Sequence, residues 1–215
     1  CHMTNTASIY MPIAKKNGVK CCISHSHSTH GKKGLMGVVT DILQKPIYKH
    51  ATDFFACSEA AKKWFYPEDM IKAGKVKVIA NAVDAARFRF NPETRERMRK
   101  ELDLGDSLAV VCIARFRQEK NHTFLIDVLK EMLKTKEDVV FVFAGDGPCE
   151  DEVKKKAKDL GVYEHIRFLG MRPDVPDILQ ASDVFTLASF FEGLPVTGIE
   201  AQASGLYCVA SDGIP

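Results

Sequence analysis

Residues 190–205 read Phe190-Phe191-Glu192-Gly193-Leu194-Pro195-Val196-Thr197-Gly198-Ile199-Glu200-Ala201-Gln202-Ala203-Ser204-Gly205. Apolar runs flank them, Val184 to Ala188 before and Tyr207 to Ala210 after. The pattern predicts strand, loop, helix, strand. Glu192 falls in the loop at the first strand's carboxyl end and Glu200 in the helix. Pro195 suits the helix's first turn, where a missing N–H costs nothing. In open α/β sheets ligands bind at the carboxyl edge of the strands, and a helix start offers N–H groups to an anion. A helix with two solvated glutamates fits the same spacing, so the neighbouring strands must decide.

Working back from this stretch, the chain alternates buried strands with helices. Leu108 to Ala114 is a continuous apolar run, as for a strand covered on both faces. Val139 to Ala144 is the second such run, His165 to Leu169 the third, Val184 to Ala188 the fourth and Tyr207 to Ala210 the fifth. Helices are predicted over 122–134, with Phe124, Leu125, Val128, Leu129, Met132 and Leu133 on the apolar stripe, over 150–160 and over 175–181. Strands separated by helices imply βαβ units and a parallel sheet. Such a sheet brings Arg115 and Lys120, then Gly145-Asp146-Gly147, then Gly170, then Glu192 to Glu200 to one edge. A guanidinium and an ammonium together suit a diphosphate.

Residues 1–90 carry a second α/β pattern. A helix is predicted over 5–17, although Pro12 opposes it, then a strand from Val19 to Ile23 and a polar loop from Ser24 to Gly34. That loop holds His25, His27 and His30. Three histidines could bind metal, but only Cys21 and Cys22 stand near to complete a ligand set, so no metal is expected. A catalytic or substrate-contacting histidine is the stronger reading. A helix from Gly37 to His50 follows, a strand from Phe54 to Cys57, a helix capped by Ser58, and a strand from Lys75 to Ile79. Residues 91–107 read as a linker with a surface helix near Pro92 to Leu102. The expected domains are 1–90, the linker 91–107, and 108–215.

Composition is that of a globular chain: 215 residues, 46% hydrophobic, 27% charged, net charge +2. No apolar run is long enough to span a membrane, and the overall charge implies no nucleic-acid partner. Residues 1–50 hold seven lysines against Asp41 alone, a net +6. Such a front could meet phosphate or an anionic membrane face, or be a solvated surface. Seven scattered cysteines without a Cys-x-x-Cys pair suit a reducing cytoplasm. The sequence lacks a phosphate-binding Gly-x-x-x-x-Gly-Lys loop, a Gly-x-Ser-x-Gly elbow and any Asp-x-Asp triplet. A diphosphate would therefore be neutralised by Arg, Lys and a helix start, without a metal held by that triplet. The chain starts at Cys1-His2-Met3 and stops at Ile214-Pro215, so a fragment is expected.

Taken together these residues resemble the GT-B glycosyltransferases of family 4, a retaining group that includes many bacterial exopolysaccharide and capsule enzymes. Glu192 and Glu200 match its Glu-x₇-Glu motif, and Ala201 to Gly205 its continuation. Arg115 and Lys120 match its Arg-x₄-Lys loop, Gly145-Asp146-Gly147-Pro148 its Gly-x-Gly turn, and Asn81-Ala82-Val83-Asp84 with Phe88 the run that closes its first domain. The resemblance implies two Rossmann-like domains with parallel sheets, both incomplete here. It implies a nucleotide-sugar donor, a lipid-linked or saccharide acceptor, no metal cofactor, and a cytoplasmic enzyme, peripheral at most to the membrane. Arg115 and Lys120 would stabilise the diphosphate, with Gly145 and Asp146 in the donor site. Glu200 would hold the ribose and Glu192 the transferred sugar. Leu169, Gly170 and Met171 would meet the base, and His27 or His25 would line the sugar. The family often reads Glu-Gly-Phe-Gly where this chain has Glu192-Gly193-Leu194-Pro195. Pro195 removes one N–H, which shifts the expected phosphate contact to Val196 and Thr197. A non-catalytic nucleotide- or sugar-binding module and a nucleotide-sugar epimerase of the same fold remain the other readings. The fragment by itself is expected to be inactive.

Overall fold

Five apolar runs form one parallel sheet. The structure, a computed structural model, describes residues 1–2, 6–29 and 35–214. β4 (Leu108–Ile113) pairs in parallel with β5 (Val139–Ala144) along its whole length, Leu108 opposite Val139 and Ile113 opposite Ala144. β6 (Ile166–Phe168) adds beyond β5, and β7 (Val184–Leu187) and β8 (Tyr207–Ala210) add on the other side of β4. The order is β6-β5-β4-β7-β8, all parallel. Every residue of β5 is buried, as a central strand covered on both faces requires. Burying a side chain such as Phe143 there contributes about 1.5–3 kcal/mol. β8 departs from the buried strand its sequence predicts: all four residues are exposed, Tyr207 by 82%. It is the edge strand, so it has a neighbour on one side only.

Helices connect these strands: α6 (His122–Met132), α7 (Glu150–Asp159), α8 (Val175–Ala181) and α9 (Val196–Ala203). Phe124, placed on the apolar stripe of α6 by its spacing, is 52% exposed. His122 takes the buried place instead, stacked on Phe116 with centroids 4.3 Å apart and edge-on to Phe143. α5 (Pro92–Glu101), read as part of a linker, packs against α8 and buries Met98 fully. Arg95 and Arg99 of α5 both reach Asp183, which also accepts the Ala109 amide at 2.8 Å. The contacts accordingly divide the chain at Asn81/Ala82, with α5 in the second unit. That unit comprises Ala82–Phe190 and Pro195–Ile214; the first comprises Cys1–Asn81 and Phe191–Leu194.

The first unit holds a three-stranded parallel sheet in the order β1-β2-β3: β1 (Ile23–Ser26), β2 (Asp53–Ala56) and β3 (Val76–Val78). Its helices are α1 (Ala7–Lys16), α2 (Leu35–His50), α3 (Glu59–Phe65) and α4 (Glu68–Lys72). α4 had no counterpart in the sequence reading. α1 accommodates Pro12 and buries Ala7, Ser8 and Met11, while Ile9 and Ile13 are exposed. Ser58 caps α3 through its hydroxyl, which accepts the Ala61 amide at 3.1 Å.

The first strand lies three to four residues later than predicted, and part of the expected polar loop is strand. Ser24 and Ser26 are buried on its inner side, and His25 and Ile23 are half-buried. The Tyr66 hydroxyl bonds the Ser24 carbonyl and the Phe55 carbonyl, both at 2.9 Å, and so ties β1 to β2. Small buried hydroxyls thus replace the apolar residues that normally reveal a strand. The remainder of that loop, His30 to Gly34, lies outside the described residues.

Burial holds the His122 imidazole well below its ordinary value, at about 4, and the nearby Lys120 ammonium pushes the same way. The unfolded chain then binds a proton that the folded chain refuses between pH 6.5 and 4. This contribution to stability is complete above pH 6.5 and is lost as pH falls through that window, by about 3 kcal/mol. Urea unfolding of the wild type and His122→Gln across pH 4–7 should show curves that converge as pH falls. Parallel curves would refute the assignment.

Candidate nucleotide site on the second unit and the histidine edge of the first

All four strand-to-helix junctions after β4, β5, β6 and β7 contribute to one cavity of about 500 Å³. Its walls include Arg115, Gly145, Asp146, Met171, Arg172 and Thr197. A larger hollow of about 900 Å³ lies around Arg95, Arg99, Lys100 and Lys136. Arg95 and Arg99 there are committed to Asp183, and the hollow borders Leu108, the amino end of β4. The smaller cavity sits at the carboxyl edge, where α/β sheets bind ligands.

Close backbone approach builds that edge. A Cβ on Gly145 would lie 2.1 Å from the Ala114 carbonyl oxygen, and one on Gly147 2.3 Å from that of Phe116. Both glycines have positive φ, 146° and 152°. The Phe116 amide donates to the Asp146 carbonyl at 2.7 Å, and the Cys149 amide to the Phe116 carbonyl at 3.0 Å. The Gly145 amide donates to the Gly170 carbonyl at 2.8 Å. Three loops are thereby laced together, and Arg115 is brought to Asp146, its Nε 3.5 Å from Oδ1.

Of the residues the sequence singled out, Arg115, Gly145, Asp146, Met171 and Thr197 line the cavity together. Lys120 ends the short 3₁₀ turn Gln118–Lys120 and is not part of the lining. The Leu169 amide is spent on the Phe143 carbonyl at 2.9 Å. Met171 exposes its side chain at the cavity, so it offers apolar surface. Pro195 occupies the position before α9 and not its first turn, so Val196 and Thr197 supply the first amides of the helix, which no helical carbonyl can meet. Glu200 is half-buried in α9; burial raises its carboxyl above the usual range, with Arg87 acting against the shift. α9 closes with Gly205 at φ 78° and the Leu206 amide on the Ala201 carbonyl at 3.1 Å. Arg172 was missed by the sequence reading. It lines the cavity while bonded to Asp174 at 2.5 Å and Glu101 at 2.9 Å.

Glu192, Gly193 and Leu194 belong to the first unit. Three successive carbonyls are gripped by side chains there. The Thr29 hydroxyl donates to Glu192 at 2.6 Å, the Ser58 hydroxyl to Gly193 at 2.7 Å, and Asn81 Nδ2 to Leu194 at 2.8 Å. Gly193 is required sterically, since a Cβ would meet the His27 carbonyl oxygen at 2.1 Å. His27 follows β1 directly, and His25 lies in it, ring centroids 4.1 Å apart. A third ring, His2, stands 4.8 Å from His27 and 5.1 Å from His25. His30, the third histidine expected in the polar loop, lies outside the described residues. Cys1 and His2 run beside β1, with the His25 amide donating to the Cys1 carbonyl at 3.1 Å. Even-numbered residues of β1 face β2 through their main chain, so odd-numbered ones bond on the opposite side. Burial, then the neighbouring rings His27 and His2, holds His25 down at about 4; burial and His2 also lower His27.

The family model described as glycosyl transferases group 1 matches residues 94–215, which contain every residue of the cavity wall. The putative glycosyltransferase EpsF of Bacillus subtilis (strain 168) is 31% identical over 207 residues, covering 94% of this chain and 53% of that protein. The UDP-Gal:alpha-D-GlcNAc-diphosphoundecaprenol alpha-1,3-galactosyltransferase of Escherichia coli is 30% identical over 223 residues, covering 98% of this chain and 56% of that protein. The chain thus spans about half the length of these curated relatives. The crystal structure of Anabaena Alr3699/HepE in complex with UDP and glucose superposes with a TM-score of 0.85 at 23% identity, over 98% of this chain and 58% of that one, a likeness of fold. With its α/β units, parallel sheets and matched second unit, the chain belongs to the group 1 glycosyltransferases, of GT-B type.

Proposed function

We propose that the protein carrying this chain is a retaining glycosyltransferase of family 4. It moves a sugar from a nucleotide-diphosphate donor to a hydroxyl acceptor in exopolysaccharide or capsule biosynthesis. The observation that carries this reading is the cavity at the carboxyl edge of β4 to β7, where Arg115, the Gly145–Gly147 turn and Thr197 meet. It offers a guanidinium, an apolar wall at Met171 and the start of a helix, the three things a nucleoside diphosphate requires. The relatives support the donor class: one is named for UDP-Gal, and the fold neighbour was crystallised with UDP and glucose.

In this reading the diphosphate rests at the amides of Val196 and Thr197, with Arg115 and Lys120 as its cations. Negative charge grows on the leaving diphosphate in the transition state, so fixed donors there stabilise it where the gain is largest. Asp146 holds the Arg115 guanidinium in place before the donor arrives. Glu200 accepts ribose hydroxyls, and its half-buried carboxyl makes those hydrogen bonds stronger than they would be in water. Leu169, Gly170 and Met171 flank the base. Glu192, with Gly193 and Leu194, contacts the sugar, and His27 or His25 lines it. No metal escorts the diphosphate.

The acceptor is a lipid-linked or free saccharide. A diphosphoundecaprenol acceptor in one relative's name supports the former. The lysine-rich first fifty residues fit peripheral contact with the inner face of the membrane from the cytoplasm. Among the described residues no helix is long and apolar enough to cross one.

The intact protein incubated with labelled nucleotide sugars and a lipid-linked acceptor should give a glycoside with the donor's anomeric configuration. Inversion would refute retention, interconversion of the donor without acceptor would mark an epimerase, and binding without turnover a non-catalytic module. Residues 1–215 alone should give little or no transfer. In this chain UDP, GDP or ADP should raise the melting temperature, and Arg115→Ala should weaken that nucleotide about tenfold, as loss of a charge-assisted bond predicts. Gly147→Ala should cost about 2–3 kcal/mol in urea unfolding, and nucleotide affinity should fall with it; an unchanged affinity would remove the turn from the site.

A further inference from the structure

The three imidazoles at the edge of the first unit form a cluster the transferase reading does not explain. That reading uses a histidine to line a sugar, which needs one ring. Here the ligand nitrogens of His2, His25 and His27 all lie within 4.8 Å of one another. His2 Nδ1 is 2.7 Å from His27 Nε2. Among the described residues the buried His25 Nε2 has no hydrogen-bond partner. In the tautomer that carries its proton on Nδ1, His25 presents the Nε2 lone pair to a ligand.

We propose that His2, His25 and His27 form a three-nitrogen site for a divalent transition-metal ion, with zinc as the ion its chemistry suits. Imidazole nitrogens favour zinc over the magnesium or manganese that prefer oxygen ligands. The site is therefore separate in kind from a metal that would escort a diphosphate, and it does not depend on the transferase reading. Zinc–nitrogen bonds of about 2.0–2.1 Å in tetrahedral array set nitrogens about 3.4 Å apart. The His2–His27 pair must open from 2.7 Å, and wider separations must close, by rotation of the side chains. His2 is exposed, so its ring can make that adjustment at low cost. Three protein ligands leave a fourth position for water or a substrate hydroxyl. An ion held by His27 also withdraws that ring from any other contact, so zinc should slow whatever reaction uses it.

The test is titration of the intact protein with Co²⁺ alone, followed by competition with Zn²⁺. One Co²⁺ per chain should bind with the intense visible absorption of a four-coordinate centre, and Zn²⁺ should displace it. His2→Gln, His25→Gln and His27→Gln should each weaken binding by more than the roughly 100-fold that changes outside the ligand shell produce. Circular dichroism and melting temperature check that each variant folds; if His25→Gln does not, the exposed His2→Gln carries the test. No uptake, binding unchanged in these variants, or a thiolate-to-cobalt charge-transfer band pointing to Cys1 or Cys21 would overturn the site and leave a hydrogen-bonded cluster of rings.

Discussion

The close passage of the Gly145-Asp146-Gly147 turn against Ala114 to Phe116 is the constraint on which the second unit's working edge depends. Two carbonyl oxygens lie where a Cβ would have to go. Only glycine permits this, and the approach in turn lets the Phe116 amide reach Asp146 and the Gly145 amide reach Gly170. Without it β4, β5 and β6 would still pair, because their apolar faces and ladder bonds lie below the turn. The loops above them would lose their mutual register, and with it the position of Arg115. The fold is thus secured by the strands, and the cavity by two glycines.

The first unit secures the carboxyl edge of its sheet in a different way. Its first strand, β1, carries the buried Ser24 and Ser26 in place of large apolar residues, and the Tyr66 hydroxyl bonds the Ser24 hydroxyl and carbonyl and the Phe55 carbonyl. At the same edge three side chains from separate elements hold three consecutive carbonyls of residues 192–194. Satisfied hydrogen bonds of this kind rigidify a segment that carries no secondary structure. Glu192 is thereby fixed by its backbone within the first unit, whereas Glu200 is fixed by α9 in the second. The two carboxylates, adjacent in the motif, belong to separately stabilised units.

Most of the architecture was legible because its strands are long apolar runs. β4, β5, β7 and α8 stand within a residue of their predicted bounds. What was not legible has physical causes. β1 was displaced because buried serines have no hydrophobic signature. α4 is a five-residue helix without an apolar stripe. His122 displaced Phe124 from the core because a neutral imidazole stacked on Phe116 packs as an aromatic ring does. Around the candidate site, the turn glycines and the helix start could be read from spacing. The pairing of Arg115 with Asp146, the lining role of Arg172 and the arrival of His2 beside His25 could not, since each joins residues remote in sequence or held by ion pairs.

The account turns on where a nucleoside diphosphate sits. Amide chemical-shift mapping of the isotopically labelled chain, titrated with UDP, GDP and ADP in turn, locates it directly. The account predicts that one nucleotide at least shifts the amides of Arg115, Asp146, Gly147, Met171, Val196 and Thr197, while those of Arg99 to Ser107 beside the larger hollow stay in place. Shifts confined to that hollow, or none with any of the three nucleotides, would contradict it.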